Sequence, residues 1–236
     1  MEKGSTQDTA PAHPPATRAE RKAFYAALPK PSARGWIHAL IAPLALANGI
    51  TLVVLAPTIP TRLGCLVFAI SAVLLFGNSG VYHRGNWNDS VSAVLQRIDH
   101  ANIFLLIAGT YTPMSISLLE ARRAVLVLTI VWAGAITGTL IHVFHLHAPR
   151  WFLVALYILL GWVAVFFLPD FLHSGGVAIL VLLLCGGVAY TVGAVFYAMR
   201  WPNPWPAHFG FHEFFHVGTV VGYICHSIAV WLAIFH

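Results

Sequence analysis

Long apolar stretches alternate with short polar or proline-containing connections along most of this chain. Seven stretches have about the 17–25 residues that an α-helix needs to cross a bilayer. They are Gly35–Pro57, Leu63–His83, Ala101–Leu119, Ala124–Phe144, Trp151–Leu168, Val177–Met199 and Phe209–Phe235. None of them shows the two-residue alternation of a barrel strand, so the backbone can be satisfied in lipid only as helix. The pattern predicts an all-α integral membrane protein with a bundle of seven transmembrane helices.

Residues 1–34 have a different character from the rest of the chain. They hold five prolines and six basic residues, with too few consecutive apolar residues for the core of a signal peptide. This composition predicts an N-terminal tail that is largely disordered, with a short interfacial helix at 17–28, followed by a transmembrane domain at 35–236.

Composition and charge support a location in the membrane. Only 9% of the residues are charged, against about 25% in soluble domains. With the N-terminus in the cytosol, ten basic residues fall on the cytosolic side and three, Arg62, Arg122 and Arg123, fall outside. The positive-inside rule therefore predicts a cytosolic N-terminus and an external C-terminus. This asymmetry accounts for the net charge of +5, so no nucleic-acid partner is expected.

The motif H-E-x-x-H opens the last apolar stretch. Its histidines, His212 and His216, are four residues apart and therefore share one helix face, a spacing that can hold a metal ion. The predicted topology brings Ser79 and His83, at the end of the second stretch, to the same depth as Asp99 before the third. Three histidines with one open position form the ligand set of a catalytic zinc site. Asp99 and Ser79 are candidates to bond a water or to orient a ligand.

Other interpretations of these residues compete with zinc. The three histidines could instead bond backbone carbonyls or line a polar seam, and the motif alone also occurs in zinc proteases, with Glu213 as the base. Glu213 lies about 100° around the helix from His212, among aromatic residues, so we expect it to cap the helix start. A second group at the cytosolic end of the fourth stretch consists of His142, His145 and His147. Its position at the membrane boundary favours an interpretation without metal, and its role stays open.

Four linked motifs resemble the bacterial haemolysin III family, within the wider superfamily of adiponectin and progestin receptors (PAQR). They are Ser79-x-x-Tyr82-His83, Asp99-His100-x-x-Ile103 leading to Ile107-Ala108-Gly109-Thr110-Tyr111-Thr112-Pro113, Trp201-Pro202-Asn203-Pro204, and Phe209-Gly210-Phe211-His212-Glu213-x-x-His216. The resemblance covers about residues 35–236. It implies a zinc ion near the cytosolic face held by His83, His212 and His216, with Ser79 and Asp99 beside it, in the bacterial cytoplasmic membrane.

The resemblance leaves three functions open. Related alkaline ceramidases imply hydrolysis of a lipid amide or ester, with a lipid-like substrate in the bundle. The alternative is a non-catalytic protein of membrane homeostasis or lipid sensing, in which zinc is structural. A pore-forming or cytolytic protein is third, because the apolar stretches contain no charged ring suited to conduction.

Overall fold

The computed structural model describes residues 31–144 and 148–236 of the chain. This part folds into seven α-helices and one 3-10 helix, and its only extended pairing is a bridge between Trp205 and Phe209. The α-helices are α1 Trp36–Leu55, α2 Ile59–Arg84, α3 Asp89–Leu118, α4 Ala121–Val143, α5 Arg150–Gly161, α6 Leu168–Met199 and α7 Phe211–Ile234; the 3-10 helix Trp162–Phe167 joins α5 to α6. The all-helical class is as the sequence predicts.

Six helical stretches in the described part are long and apolar enough to cross a membrane. Five correspond to α1, α2, α3, α4 and α7. The sixth, Trp151–Met199, runs through 49 residues and contains both the fifth and the sixth predicted segments. The described residues thus give six continuous stretches where the sequence predicts seven. Each helix also exposes large apolar side chains, such as Leu44 and Leu159, as a lipid-facing surface requires.

The predicted connection at 169–176 is helical for a local reason. Pro169 lies in the first turn of α6, where its missing N–H has no helical partner to lose, so it starts a helix here and does not end one. The interruptions lie on either side. The 3-10 helix precedes Pro169, and Gly176, with φ 73° and ψ 178°, breaks the helical geometry after it.

Tyr111 supports the junction between α5 and the 3-10 helix. Its hydroxyl donates to the carbonyl of Gly161 over 2.7 Å and accepts the N–H of Ala164 over 2.7 Å. Both backbone groups lie where the helical pattern of hydrogen bonds changes, so a side chain from α3 satisfies what the helix leaves open.

Helix α3 begins much earlier than the predicted Ala101. The side chain of Asn88 accepts the N–H of Val91 over 2.9 Å and caps the first turn at Asp89. The polar residues after this cap suggested a connection in the sequence. They form instead two to three amphipathic turns, and Asp99 therefore lies on a helix and not in a loop.

The other six helices are arranged around α3. It packs against α2, α4, α5, α6 and α7, while α1 packs between α2 and α7 and closes the ring. Asn48 stabilises the contact between α1 and α7. Its side-chain N–H₂ donates to Tyr223 (3.1 Å) and Ser227 (2.9 Å), and its side-chain oxygen accepts from Trp231 (2.8 Å). All three partners belong to α7.

The segment before α1 is also attached to the start of α7. Ser32 N–H donates to the Ala207 carbonyl (3.0 Å), and Ala33 N–H donates to the His208 carbonyl (3.2 Å). Residues 31–34 of the predicted disordered tail are thus in a defined turn. The remainder of that tail, including the predicted interfacial helix at 17–28, lies outside the described residues.

Candidate metal centre

Three of the predicted site residues come together with ligand geometry. Nitrogen atoms of His83, His212 and His216 all lie within 4.8 Å of one another. The Nε2 atoms of His83 and His212 are 3.2 Å apart. Two nitrogens bound to one tetrahedral zinc at about 2.0–2.1 Å would be separated by roughly 3.3 Å. The three-nitrogen donor set therefore fits zinc as well as other borderline transition metals.

Two helix ends carry these histidines. His83 lies in the last turn of α2, while His212 and His216 occupy the first two turns of α7, on one face. Both His83 and His216 are buried. Gly35 lets the chain before α1 pass directly against His83: its φ is +81°, and a Cβ at this position would lie 2.6 Å from the Cβ of His83. Only glycine meets both conditions without strain.

Asp99 and Ser79 lie beside the histidines, as the sequence predicts. Asp99 Oδ2 is 3.6 Å from His83 Nε2. Ser79 is 1% exposed, and its hydroxyl has no hydrogen-bond partner among the described residues. A buried hydroxyl without a partner costs stability, so an unbonded Ser79 next to the histidines indicates a place for a ligand or water.

Glu213 caps the start of α7, as the sequence suggested, and also forms an ion pair. Its Oε2 accepts the N–H of Gly210 over 2.9 Å, which caps the start of α7. Its Oε1 forms an ion pair with Arg34, and the Glu213 side chain is fully buried. The pair ties the segment before α1 to the helix that carries two of the three histidines. Sequence reasoning missed it because Arg34 counted only as a basic residue of the tail.

His38 is a second residue that sequence reasoning missed. It lies in the first turn of α1, is 2% exposed, and stacks on His216 with ring centroids 3.8 Å apart. A signal for it exists in the sequence, since a lone histidine in an apolar helix is expensive and is by default a functional candidate.

A long cavity extends from the histidines into the bundle. Its volume, counted as the space open to the centre of a water molecule, is about 120 Å³. His38, Ser79, Asp99 and His216 line one end, and the remainder of the wall is mostly apolar. The wall on α3 continues from Asp99 to Met114, which at 1.5 Å per residue is roughly 22 Å. The cavity therefore combines a polar end with an apolar length.

Two other histidines of the described part, His142 and His226, have local hydrogen-bond partners. His142 Nε2 bonds the hydroxyl of Tyr157 over 2.9 Å, and that hydroxyl also donates to the His100 carbonyl over 3.3 Å. His226 bonds the Leu183 carbonyl over 3.2 Å. His145 and His147 lie outside the described residues, so the structure does not show whether they approach His142.

These observations define a class: an all-helical membrane protein in which three histidines from two helices form a candidate metal centre at the end of an apolar cavity. The chain belongs to the haemolysin-III related family, whose model matches residues 26–227. This family is part of the PAQR superfamily. Membership and the apolar helices together make it a multi-pass membrane protein.

Two curated relatives show the same similarity. The chain is 30% identical over 161 residues to a hemolysin-3 homolog of Bacillus subtilis (strain 168), which covers 67% of this chain and 73% of the relative. It is 32% identical over 162 residues to hemolysin-3 of Bacillus cereus, which covers 67% of this chain and 71% of that protein.

Proposed function

We propose that this protein is a zinc-dependent hydrolase that cleaves an amide or ester bond of a lipid inside the membrane. One observation carries the proposal: His216, Asp99 and Ser79 line the polar end of a cavity whose remaining wall is mostly apolar. Such a cavity suits a molecule with one polar reactive group and a long hydrocarbon tail. A structural clamp alone would not need the tail space.

The side chains around the candidate metal centre have distinct roles in this proposal. Zinc held by His83, His212 and His216 would supply Lewis acidity and bring the pKa of a water to about 7. Asp99, near His83, accepts the proton from the attacking water and returns it to the leaving group. Ser79 donates its unpaired hydroxyl to an oxygen of the water or of the substrate, which fixes the position of the reacting groups.

The apolar wall determines the kind of substrate. Leu75, Ile103, Leu106 and Ile107 line the cavity and present an apolar surface to an acyl chain. A single acyl chain can lie along the wall of α3, with its carbonyl carbon next to the histidines. The headgroup then remains at the cytosolic boundary, near His212 in the first turn of α7.

The proposal includes seven crossings of a bacterial cytoplasmic membrane, with the N-terminus in the cytosol. The stretch Trp151–Met199 has 49 residues, and at 1.5 Å per residue it would be about 70 Å long, more than twice the hydrocarbon core. The 3-10 helix and Gly176 supply the turn that two crossings require. The distribution of Lys and Arg supports an orientation with the three histidines near the cytosol.

The test uses purified protein in lipid nanodiscs. Bound zinc is quantified by mass spectrometry, and turnover is followed on an N-acyl lipid, on an ester lipid and on ether analogues that cannot be hydrolysed. We expect one zinc per chain and hydrolysis of an acyl substrate. Asp99→Asn should keep the zinc and lower turnover by about 10²–10⁴-fold, the usual contribution of acid–base catalysis.

The non-catalytic alternative gives opposite results. A full complement of zinc, no turnover of any acyl lipid, and a silent Asp99→Asn in cells would contradict the hydrolase and favour a structural ion. In that case His83→Ala would act only by lowering thermal stability.

A further inference from the structure

His38 has unsatisfied bonding capacity at the polar end of the cavity. Its ring is 2% exposed, and neither ring nitrogen makes a hydrogen bond of normal geometry with any residue that the structure describes. Buried polar groups of this kind are rare in native proteins, because losing the bonds to water without replacement is costly. His38, in the first turn of α1, therefore has a hydrogen-bond donor and an acceptor without partners among the described residues.

The stacking geometry excludes His38 as a fourth ligand of the same ion as His216. The two rings are nearly parallel, at 9°, with centroids 3.8 Å apart. The lone pair of an imidazole nitrogen lies in the ring plane, so an ion bound in the plane of His216 lies well outside the plane of His38. His38 is thus not part of the candidate metal centre, whose ligand set stays His83, His212 and His216.

The surroundings of His38 indicate what its partner should be. Its faces pack against apolar and aromatic groups: His216 stacks on it, and Phe76 meets it at 80° with centroids 5.1 Å apart. His38 also lines the cavity, whose wall it shares with Ser79 and Asp99, and neither of its ring nitrogens has a hydrogen-bond partner among the described residues. A neutral imidazole carries one N–H donor, and the acceptors that an acyl lipid brings to this end are its carbonyl oxygens.

We propose that His38 is a substrate-contacting residue that donates a hydrogen bond to the carbonyl oxygen of a lipid amide or ester held at the metal end of the cavity. This rests on the proposed function, because it requires an acyl lipid in the cavity. His38 acts as a neutral donor. His38 and Ser79 supply hydrogen-bond donors on the side of the carbonyl oxygen. The carboxylate of Asp99 accepts the proton and returns it. The cavity then selects acyl lipids over ether lipids of equal length.

The experiment measures binding separately from turnover. The probe is N-oleoylethanolamine with a ¹³C-labelled carbonyl, bound to the zinc-loaded full chain in nanodiscs. His38→Phe keeps an aromatic ring on His216 and removes the donor, while His38→Gln retains a donor. The exposed His173 supplies the matched control, His173→Phe.

We expect His38→Phe to bind the probe about tenfold more weakly, the value of one buried hydrogen bond. Its zinc content should equal that of the wild type. The infrared band of the labelled carbonyl should shift to higher frequency in His38→Phe and return toward the wild-type position in His38→Gln, a change that a packing role would not produce. His173→Phe should bind as the wild type does. If His38→Phe does not fold, His38→Leu, which also removes the donor, is measured in its place with the same expected results. The ether analogue lacks the carbonyl, so wild-type protein should bind it at least about tenfold more weakly than the amide.

Several results would overturn the inference. They are equal binding and an unshifted band in His38→Phe, loss of zinc in that variant, or equal affinity of the wild type for the amide and the ether. The failures are distinguishable. If the wild-type protein binds the amide through His38 but hydrolyses nothing, the hydrolase proposal is refuted and the inference about His38 stands. Turnover that His38→Phe leaves intact, with unchanged binding, refutes the inference alone. Absence of any lipid binding refutes both.

Discussion

An imidazole inside a membrane is tolerated when it has a specific partner, and the described histidines differ in the partners they have. His142 and His226 bond a phenol and a carbonyl from neighbouring helices. His83, His212 and His216 face one another instead. Three imidazoles with converging nitrogens repel one another when charged, and a cation between the neutral rings would stabilise the arrangement.

Removing one converging histidine should therefore abolish metal binding. We expect His216→Ala to lose most of its bound zinc, because two ligands from a set of three hold the ion far more weakly. Metal analysis after dialysis against a weak chelator measures this. His226→Ala, on the same helix, should keep its zinc. Equal zinc in the two variants would contradict the site.

The ion pair of Arg34 with Glu213 should matter for stability in an asymmetric way. Arg34→Ala leaves a fully buried carboxylate without its counter-charge, which costs about 3–5 kcal/mol. Glu213→Gln removes the buried charge itself and still offers an oxygen to Gly210, so its cost should be smaller, about 1–2 kcal/mol.

Denaturation in mixed micelles measures both free energies of unfolding. The more exposed pair of Arg123 with Asp170 is the control, and Arg123→Ala should cost at most about 1 kcal/mol. If Arg34→Ala were as stable as Arg123→Ala, the buried pair would have no structural role.

The segment before α1 passes close to His83 of α2 at Gly35, a residue without a side chain. Gly35→Ala would force a left-handed backbone on alanine, at about 1–2 kcal/mol, and would push its Cβ into His83. Since residues that orient a ligand typically change metal affinity 10–100-fold, we expect zinc to bind at least tenfold more weakly.

Competition with a fluorescent chelator measures this affinity. Gly77→Ala provides the comparison, because a Cβ there meets open space in the middle of α2 and alanine favours helix. Unchanged zinc affinity in Gly35→Ala would show that His83 tolerates displacement.

Helical periodicity and topology predicted most of the candidate site, and the misses have physical causes. The spacing of His212 and His216, together with alternating helix directions, was enough to bring His83 and Asp99 alongside. The predicted helix boundaries were wrong where a single residue determines the start of a helix. Asn88 starts α3 early, and Pro169 starts a helix where a connection was expected. The roles of His38 and Arg34 depend on α1 packing next to α7, a contact between the two ends of the described chain that no local pattern encodes.

The number of membrane crossings can be tested by labelling single cysteines. In a background without native cysteines, Asn86→Cys places a single thiol at an exposed position between α2 and α3, and His173→Cys places one at an exposed position in the first turns of α6. Seven crossings put residue 173 outside the cell and residue 86 in the cytosol. A membrane-impermeant maleimide should label only His173→Cys in intact cells, and both after permeabilisation.

Labelling of the two positions from the same side would refute seven crossings. A Trp151–Met199 stretch that crosses only once would place residue 173 inside the bilayer, and His173→Cys would then be labelled from neither side, which would also refute seven crossings.

The contact between α1 and α7 has a consequence for how the protein is made. Helix α1 enters the membrane first among the described helices, yet Asn48 finds its partners Tyr223, Ser227 and Trp231 only on α7, which is synthesised last. During translation the amide N–H and carbonyl groups of Asn48 therefore lack these partners in a growing, incomplete bundle, at a cost that the final helix relieves. A chain that stalls before α7 carries these polar groups exposed in the bilayer, which gives membrane quality control a ready means of recognising unfinished copies.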